Sequence, residues 1–215
     1  MSQASLAGSV IAASSLSLWL HLRAESRGQR QRVYRFKPLT TSLLLLLAVL
    51  LTSEHGARYQ LAIVIGLVCS LIGDTFLMLP RDRFVPGLAS FLLAHVAYLV
   101  AFTADVPLGT ALALPLLAAA VPLLWLLWPS LGALRLPVLV YAATILLMVW
   151  RAWSRSWTRL TPGSMFAAMG ATLFMASDAI LALDRFHRPL RQAQSLIMTS
   201  YVAAQALIAL SVGMR

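Results

Sequence analysis

The chain has 215 residues, 60% of them hydrophobic and only 11% charged, and its mean hydropathy is +0.82. That apolar share is far above a soluble domain's, and no polar stretch is long enough to form one, so the sequence reads as an integral membrane protein with a single transmembrane domain over 1–215. Seventeen Lys and Arg against seven Asp and Glu give a formal charge of +10; these basic residues sit in short connections beside apolar runs, which excludes a nucleic-acid-binding module and points to anionic lipid headgroups.

A helix needs about 20 residues to cross roughly 30 Å of hydrocarbon. Eight runs approach that length, at 5–22, 38–52, 60–79, 85–103, 108–128, 134–152, 163–183 and 193–213, which predicts an all-α membrane protein of about eight transmembrane helices. The first run has no basic residue before it, unlike a signal peptide, and is expected to stay in the chain. The second, "PLTTSLLLLLAVLLT", is short for a full crossing. The third closes on "SLIGDTFLMLP", which holds the carboxylate of Asp74 inside an apolar run; it also holds Cys69, the single cysteine, so an intrachain disulfide is excluded. In the fourth, "FLLAHVAYLV" sets His95 and Tyr98 on one helix face. The fifth contains Pro115 and Pro122, residues that kink a helix interior. The seventh closes on "SDAILALDRF" with Asp178, and the eighth carries Gln194, Ser195, Thr199, Tyr201 and Gln205, of which Tyr201 and Gln205 are candidates to line a cavity.

Basic residues crowd the odd-numbered connections, with Arg23, Arg27, Arg30, Arg32, Arg35 and Lys37 in the first, Arg81 and Arg83 in the third and Arg185, Arg188 and Arg191 in the seventh. The positive-inside rule makes these connections cytoplasmic and puts both termini outside the cytoplasm, in a bacterial cell (inner) membrane. Arg151, Arg155 and Arg159 on the other side oppose that orientation.

"GDTFLMLPRDRF" at 73–84 is echoed by "SDAILALDRF" at 177–186. Four spans separate the two, so the chain reads as two parallel four-helix repeats, approximately 1–105 and 106–215, related by an axis along the membrane normal. This puts Asp74 and Asp178 at one depth, roughly 7 Å below the end of their helices at 1.5 Å per residue. A charge at membrane depth costs about 2.5 to 3.5 kcal/mol, which makes both acids functional candidates. The plainer reading pairs them with Arg81, Arg83, Arg185 or Arg188 as structural ion pairs. Two acids at matched depth in matched contexts favour function. No Glu-x-x-His or His-rich spacing accompanies them, so no metal site is expected.

"KPLTT" at 37–41, "LIGDTFLML" closing the third span, "AHVAY" in the fourth and "SDAILALDRF" closing the seventh together resemble the signature of the lysoplasmalogenase (YhhN-like) family of multispanning membrane hydrolases. The resemblance runs over nearly the whole chain. It implies cleavage of the vinyl ether bond of a lysoplasmalogen to a fatty aldehyde and glycerophosphocholine or glycerophosphoethanolamine, with Asp74 and Asp178 as the catalytic pair. The second motif departs in having Ser177 where the first has Gly73.

The residue chemistry suits that reaction. Vinyl ether hydrolysis starts with proton transfer to an alkene carbon and passes through an oxocarbenium ion that water captures, so it needs one protonated acid and one anion side by side. Two carboxyls in a poorly solvated site supply both, as in glycosidases. His95 and Tyr98 are candidates to orient the water or a carboxylate. Lys37, with Arg35 or Arg81 as substitutes, is the candidate for the lipid phosphate, against a plain anchoring role. No cofactor is expected, and the partners are a lysophospholipid substrate and membrane lipids; the oligomeric state is left open. The alternative class is a small proton-coupled transporter using the same acids as a relay. It requires polar groups reaching both faces, whereas here they gather toward one.

Overall fold

A computed structural model describes residues 2–104 and 113–214. Its helices are α1 (Gln3–Ser26), α2 (Arg30–Leu50), α3 (Ala57–Met78), α4 (Phe84–Thr103), α5 (Ala113–Leu127), α6 (Arg135–Arg159), α7 (Pro162–Phe186) and α8 (Ala193–Leu210), with short 3-10 turns after α5 and α8 and no strand among the described residues. Seven of these are long and apolar enough to cross a membrane; the exception is α5, whose apolar stretch runs over Pro115–Ser130. The start of the predicted fifth span, 108–112, and Asp105 lie outside the described residues.

The helix boundaries depart from the apolar runs where polar residues also find partners. The second helix begins at Arg30, eight residues before the predicted span, and continues through Pro38. The extra turns are basic, so an apolar run too short for the bilayer becomes a 21-residue helix with a charged end. Similarly α6 runs past 152 to Arg159, because Arg151 Nη2 and Arg155 Nη1 donate to the carbonyls of Thr103 and Ala104 at 3.4 and 3.3 Å, and the Arg155 guanidinium lies 4.8 Å over the Tyr59 ring. Helix α7 starts cleanly: Pro162 follows Thr161, whose hydroxyl accepts from the Ser164 amide while Ser164 accepts from the Thr161 amide, a reciprocal cap for two otherwise orphaned donors.

Helices α3 and α4, α7 and α8, and α1 and α2 pack as hairpin pairs; α4 also packs on α6 and α2 on α8, so α2, α3, α4, α6, α7 and α8 surround one core, with α1 and α5 at its outside. Apolar side chains in lipid gain little from helix association, so close packing of small residues has to supply it. A Cβ on Gly66 would fall 2.2 Å from the Tyr98 ring and one on Gly73 2.7 Å from Phe91, which is how α4 gets so near α3. On the other seam a Cβ on Gly170 would lie 2.9 Å from the Ala204 carbonyl oxygen and 2.8 Å from Ile208 Cγ1. Backbone cannot rotate away. Gly170→Ala is therefore expected to destabilise by about 1–3 kcal/mol, measurable as a lower unfolding temperature in detergent, with the activity per folded molecule unchanged.

Alternating connections gather at opposite ends. At one end the Glu54 amide donates to the Val212 carbonyl at 3.0 Å, joining the α2–α3 connection to the end of α8. His55 sits there, and burial, followed by repulsion from Arg155 and Arg159, holds its imidazole below the ordinary 6.5. The folded chain then binds fewer protons at His55 than the unfolded chain does. Its contribution is present above pH 6.5 and fades as the pH falls below. The unfolding temperature is expected to drop between pH 7.5 and 5.5, and to drop less in His55→Gln. The other end, formed by the α1–α2, α3–α4 and α7–α8 connections, holds the cavity.

Candidate active site

A cavity of about 700 Å³ opens at that end, lined among others by Arg30, Lys37, Asp74, Arg81, Arg83, Asp178, Arg185 and Tyr201. It brings together both acids of the echoed motifs and a basic rim, contributed by elements up to about 150 residues apart in sequence.

Asp74 is 2% exposed. Its Oδ2 accepts from the hydroxyls of Thr41 at 2.7 Å and Tyr201 at 2.8 Å, and its Oδ1 lies 3.7 Å from Lys37 Nζ. Lys37 and Thr41 are one helical turn apart on α2, so the "KPLTT" spacing delivers a cation and a hydroxyl to one carboxylate. The cation that compensates Asp74 is thus Lys37, and none of the arginines weighed as its partner. Lys37, 6% exposed, also lines the cavity.

Asp178 is set differently. Tyr141 on α6 donates its hydroxyl to Oδ2 at 2.6 Å, and His95 Nε2 on α4 stands 3.6 Å from the same oxygen, beyond ordinary hydrogen-bond reach. No Lys or Arg side chain pairs with Asp178 among the described residues. His95 is fully buried, edge-on to Tyr141 and Phe174 at centroid distances of 5.1 and 4.6 Å, and neither ring nitrogen has a hydrogen-bond partner among the described residues. A buried polar group without partners invites a ligand or water.

The remaining expected residues divide. Tyr201 and Arg81 line the cavity. Tyr98 and Gln205 are not among its lining; they bond to each other in the core, Tyr98 Oη to Gln205 Oε1 at 2.7 Å. Arg35 faces a separate groove between α1 and α2, with Arg23 and Arg32. Two contributors went unmarked in the sequence: Thr41, although it stands in a quoted motif, and Tyr141; Arg83, weighed only as an ion-pair partner, lines the cavity. Tyr141 left a signal, as the one tyrosine of the sixth span, 134–152. The Gly73 and Ser177 difference between the motifs has a packing cause: Phe91 occupies the space a side chain at 73 would need, whereas the Ser177 hydroxyl donates to the Ile197 carbonyl of α8 at 3.0 Å. Asp82 and Asp184 brace the rim. Asp82 pairs with Arg185, whose guanidinium holds that carboxyl below its usual range, and Asp184 accepts from the Leu190 amide at 2.8 Å.

Among the described residues no three His, Cys, Asp or Glu side chains converge as a metal site would require. A bundle of membrane-spanning length, with one buried and one half-buried carboxyl beneath a basic rim, defines an integral multi-pass membrane protein with an internal acidic site. The chain belongs to the YhhN family, whose model matches residues 33–212. It is 32% identical to the membrane protein YhhN of Escherichia coli O157:H7 over 195 residues, 90% of this chain and 93% of that one. It is 42% identical over 147 residues to human lysoplasmalogenase TMEM86B, 68% of this chain and 61% of the relative, and 39% identical over 175 residues to bovine lysoplasmalogenase TMEM86A, covering 77% and 69%. No solved structure matches the chain.

Proposed function

We propose that this protein is a membrane hydrolase that cleaves the vinyl ether bond of lysoplasmalogens, releasing a fatty aldehyde and glycerophosphocholine or glycerophosphoethanolamine, with Asp178 as the proton donor and Asp74 as the base. The observation that carries the proposal is the unequal setting of two carboxyls on one cavity: among the described residues Asp74 has Lys37 as counter-charge and two hydroxyl donors, while Asp178 has a single donor and no Lys or Arg partner. A counter-charge and donated hydrogen bonds favour the ionised form, and a carboxyl without a cation keeps a proton more readily. The names of the lysoplasmalogenase relatives support the substrate class.

Asp178 gives its proton to the alkene carbon once removed from the ether oxygen, leaving an oxocarbenium ion beside the new Asp178 carboxylate, which Tyr141 steadies by its hydrogen bond. Water adds to the cationic carbon and Asp74 takes its proton. In the resulting hemiacetal the carbon–oxygen bond to glycerol breaks, the departing oxygen takes the proton back from Asp74, and the hemiacetal hydroxyl proton returns to Asp178. Aldehyde and alcohol leave, and both acids are restored. Arg81 and Arg83 on the rim receive the phosphate.

The basic rim faces the cytoplasm in this reading, because two of the three arginines on the far end that opposed the orientation, Arg151 and Arg155, are buried against backbone carbonyls, which leaves Arg159 as the exposed one. A parallel duplication accounts for the partners: Asp74 is served from α2 and α8, Asp178 from α6 and α4, the same pattern advanced by four helices. A proton-coupled transporter finds no support, since the cavity-lining residues come from one end of the bundle.

The test is release of glycerophosphocholine, the product common to all three, by the purified protein from a choline lysoplasmalogen and from its ester and alkyl ether analogues, with the aldehyde assayed in parallel. Only the vinyl ether is expected to react, because only it can be protonated on carbon; equal cleavage of the ester would mean acyl-ester chemistry instead. Tyr141→Phe is expected to lower turnover roughly 10- to 100-fold, the loss of one hydrogen bond to a charged group worth about 1.5–3 kcal/mol, with little change in KM.

A further inference from the structure

A second, smaller cleft of about 180 Å³ lies between α4, α5, α6 and α7. Its walls are apolar: Leu123, Leu127, Val138, Ala142, Ile145 and Ala179 are typical. Three residues, Phe84, Asp178 and Leu181, line both this cleft and the large polar cavity. Asp178 is thus at the junction between a basic, water-accessible chamber and a hydrocarbon-like slot. Among the described residues helix α5, which forms one wall, packs more sparsely on α6 and α7 than those two pack on each other.

We propose that this cleft holds the hydrocarbon chain of a single-chain ether lysophospholipid, with its headgroup in the basic cavity. This rests on the hydrolase reading and extends it by saying how the substrate lies. The two chambers match the two ends of such a lipid in polarity, and a vinyl ether is the bond that joins those ends. A lysolipid with its phosphate at Arg81 and Arg83 and its chain along Leu123, Ile145 and Ala179 has to pass its ether linkage across the shared boundary, where the Asp178 carboxyl is. Asp74, on the polar cavity alone, meets the water side of the same bond. The division of the acids follows from this layout as well as from Lys37: the carboxyl at the hydrocarbon boundary reaches the alkene carbon, and the one at the polar boundary reaches the incoming water.

The test uses the full-length protein in lipid nanodiscs and a non-hydrolysable alkyl ether lysophosphocholine carrying a diazirine near the ether end of its chain, with photoadducts mapped by mass spectrometry. Adducts are expected on the cleft-lining parts of α5, α6 and α7, suppressed by excess lysoplasmalogen, and lowered at least about tenfold in Ala142→Phe, which fills the cleft. Adducts spread over the lipid-facing surfaces of α1 and α3, insensitive to competitor, would overturn the proposal, and so would unaltered labelling in a folded Ala142→Phe. Because the probe cannot be hydrolysed, the outcomes separate: cleft labelling without any aldehyde release from lysoplasmalogen leaves the chain site standing and removes the hydrolase reading. Aldehyde release without cleft labelling does the reverse.

Discussion

Asp178→Asn is expected to abolish aldehyde release, lowering turnover by about 10³-fold, while the protein still inserts and elutes as wild type. An amide cannot donate a proton to an alkene carbon, and general acid catalysis contributes roughly 10²- to 10⁴-fold. The amide keeps the volume of the carboxyl and can still accept from the Tyr141 hydroxyl at Oδ1, so the packing around it changes little. Binding of an alkyl ether analogue should persist. Asp74→Asn is also expected to be nearly inactive, and the double variant should be no worse than the slower single one, because two groups that act on one proton cycle do not contribute additively. Rates that multiply would mean two independent roles.

Lys37→Met carries the second large effect and decides between two roles for one residue. If Lys37 is the counter-charge of Asp74, its loss leaves a 2% exposed carboxylate without a cation. Removing one member of a buried pair costs about 3–5 kcal/mol, but here Asp74 can take up a proton instead, which limits the structural cost and removes the base. The expected result is a fall in kcat of about 10²-fold with KM nearly unchanged and a modestly lower unfolding temperature. If Lys37 held the phosphate, KM would rise and kcat would stay. Arg81→Gln supplies the contrast: Arg81 lines the exposed rim, so its replacement should raise KM for the phospholipid and spare kcat. Lys37→Arg should restore part of the turnover, because it keeps the charge and changes the reach.

The class of molecule and its acids are written in the sequence. Apolar runs of bilayer length leave a polypeptide no alternative to helices, because backbone groups in hydrocarbon must pair within their own segment. For the same reason the carboxylates of Asp74 and Asp178 stand out, since a charge at that depth needs a function or a partner. The echoed motif singled out the two acids together, and the order of the motifs pointed to the family. Even Arg81 on the rim could be read from its place in the third connection.

The partners could not be read that way, for a physical reason. Composition and spacing report what shares a helix face, but Tyr141, Tyr201 and His95 reach the two acids from α6, α8 and α4, and which helices touch depends on how small residues such as Gly66, Gly73 and Gly170 let backbones approach. Those contacts decided that Lys37 lies beside Asp74 while, among the described residues, no Lys or Arg pairs with Asp178. They also turned Tyr98 away from the cavity to Gln205 and Arg35 to the far groove beside α1. One sequence pattern thus specifies two acids of the same kind, and only the packing of the six central helices gives them different environments.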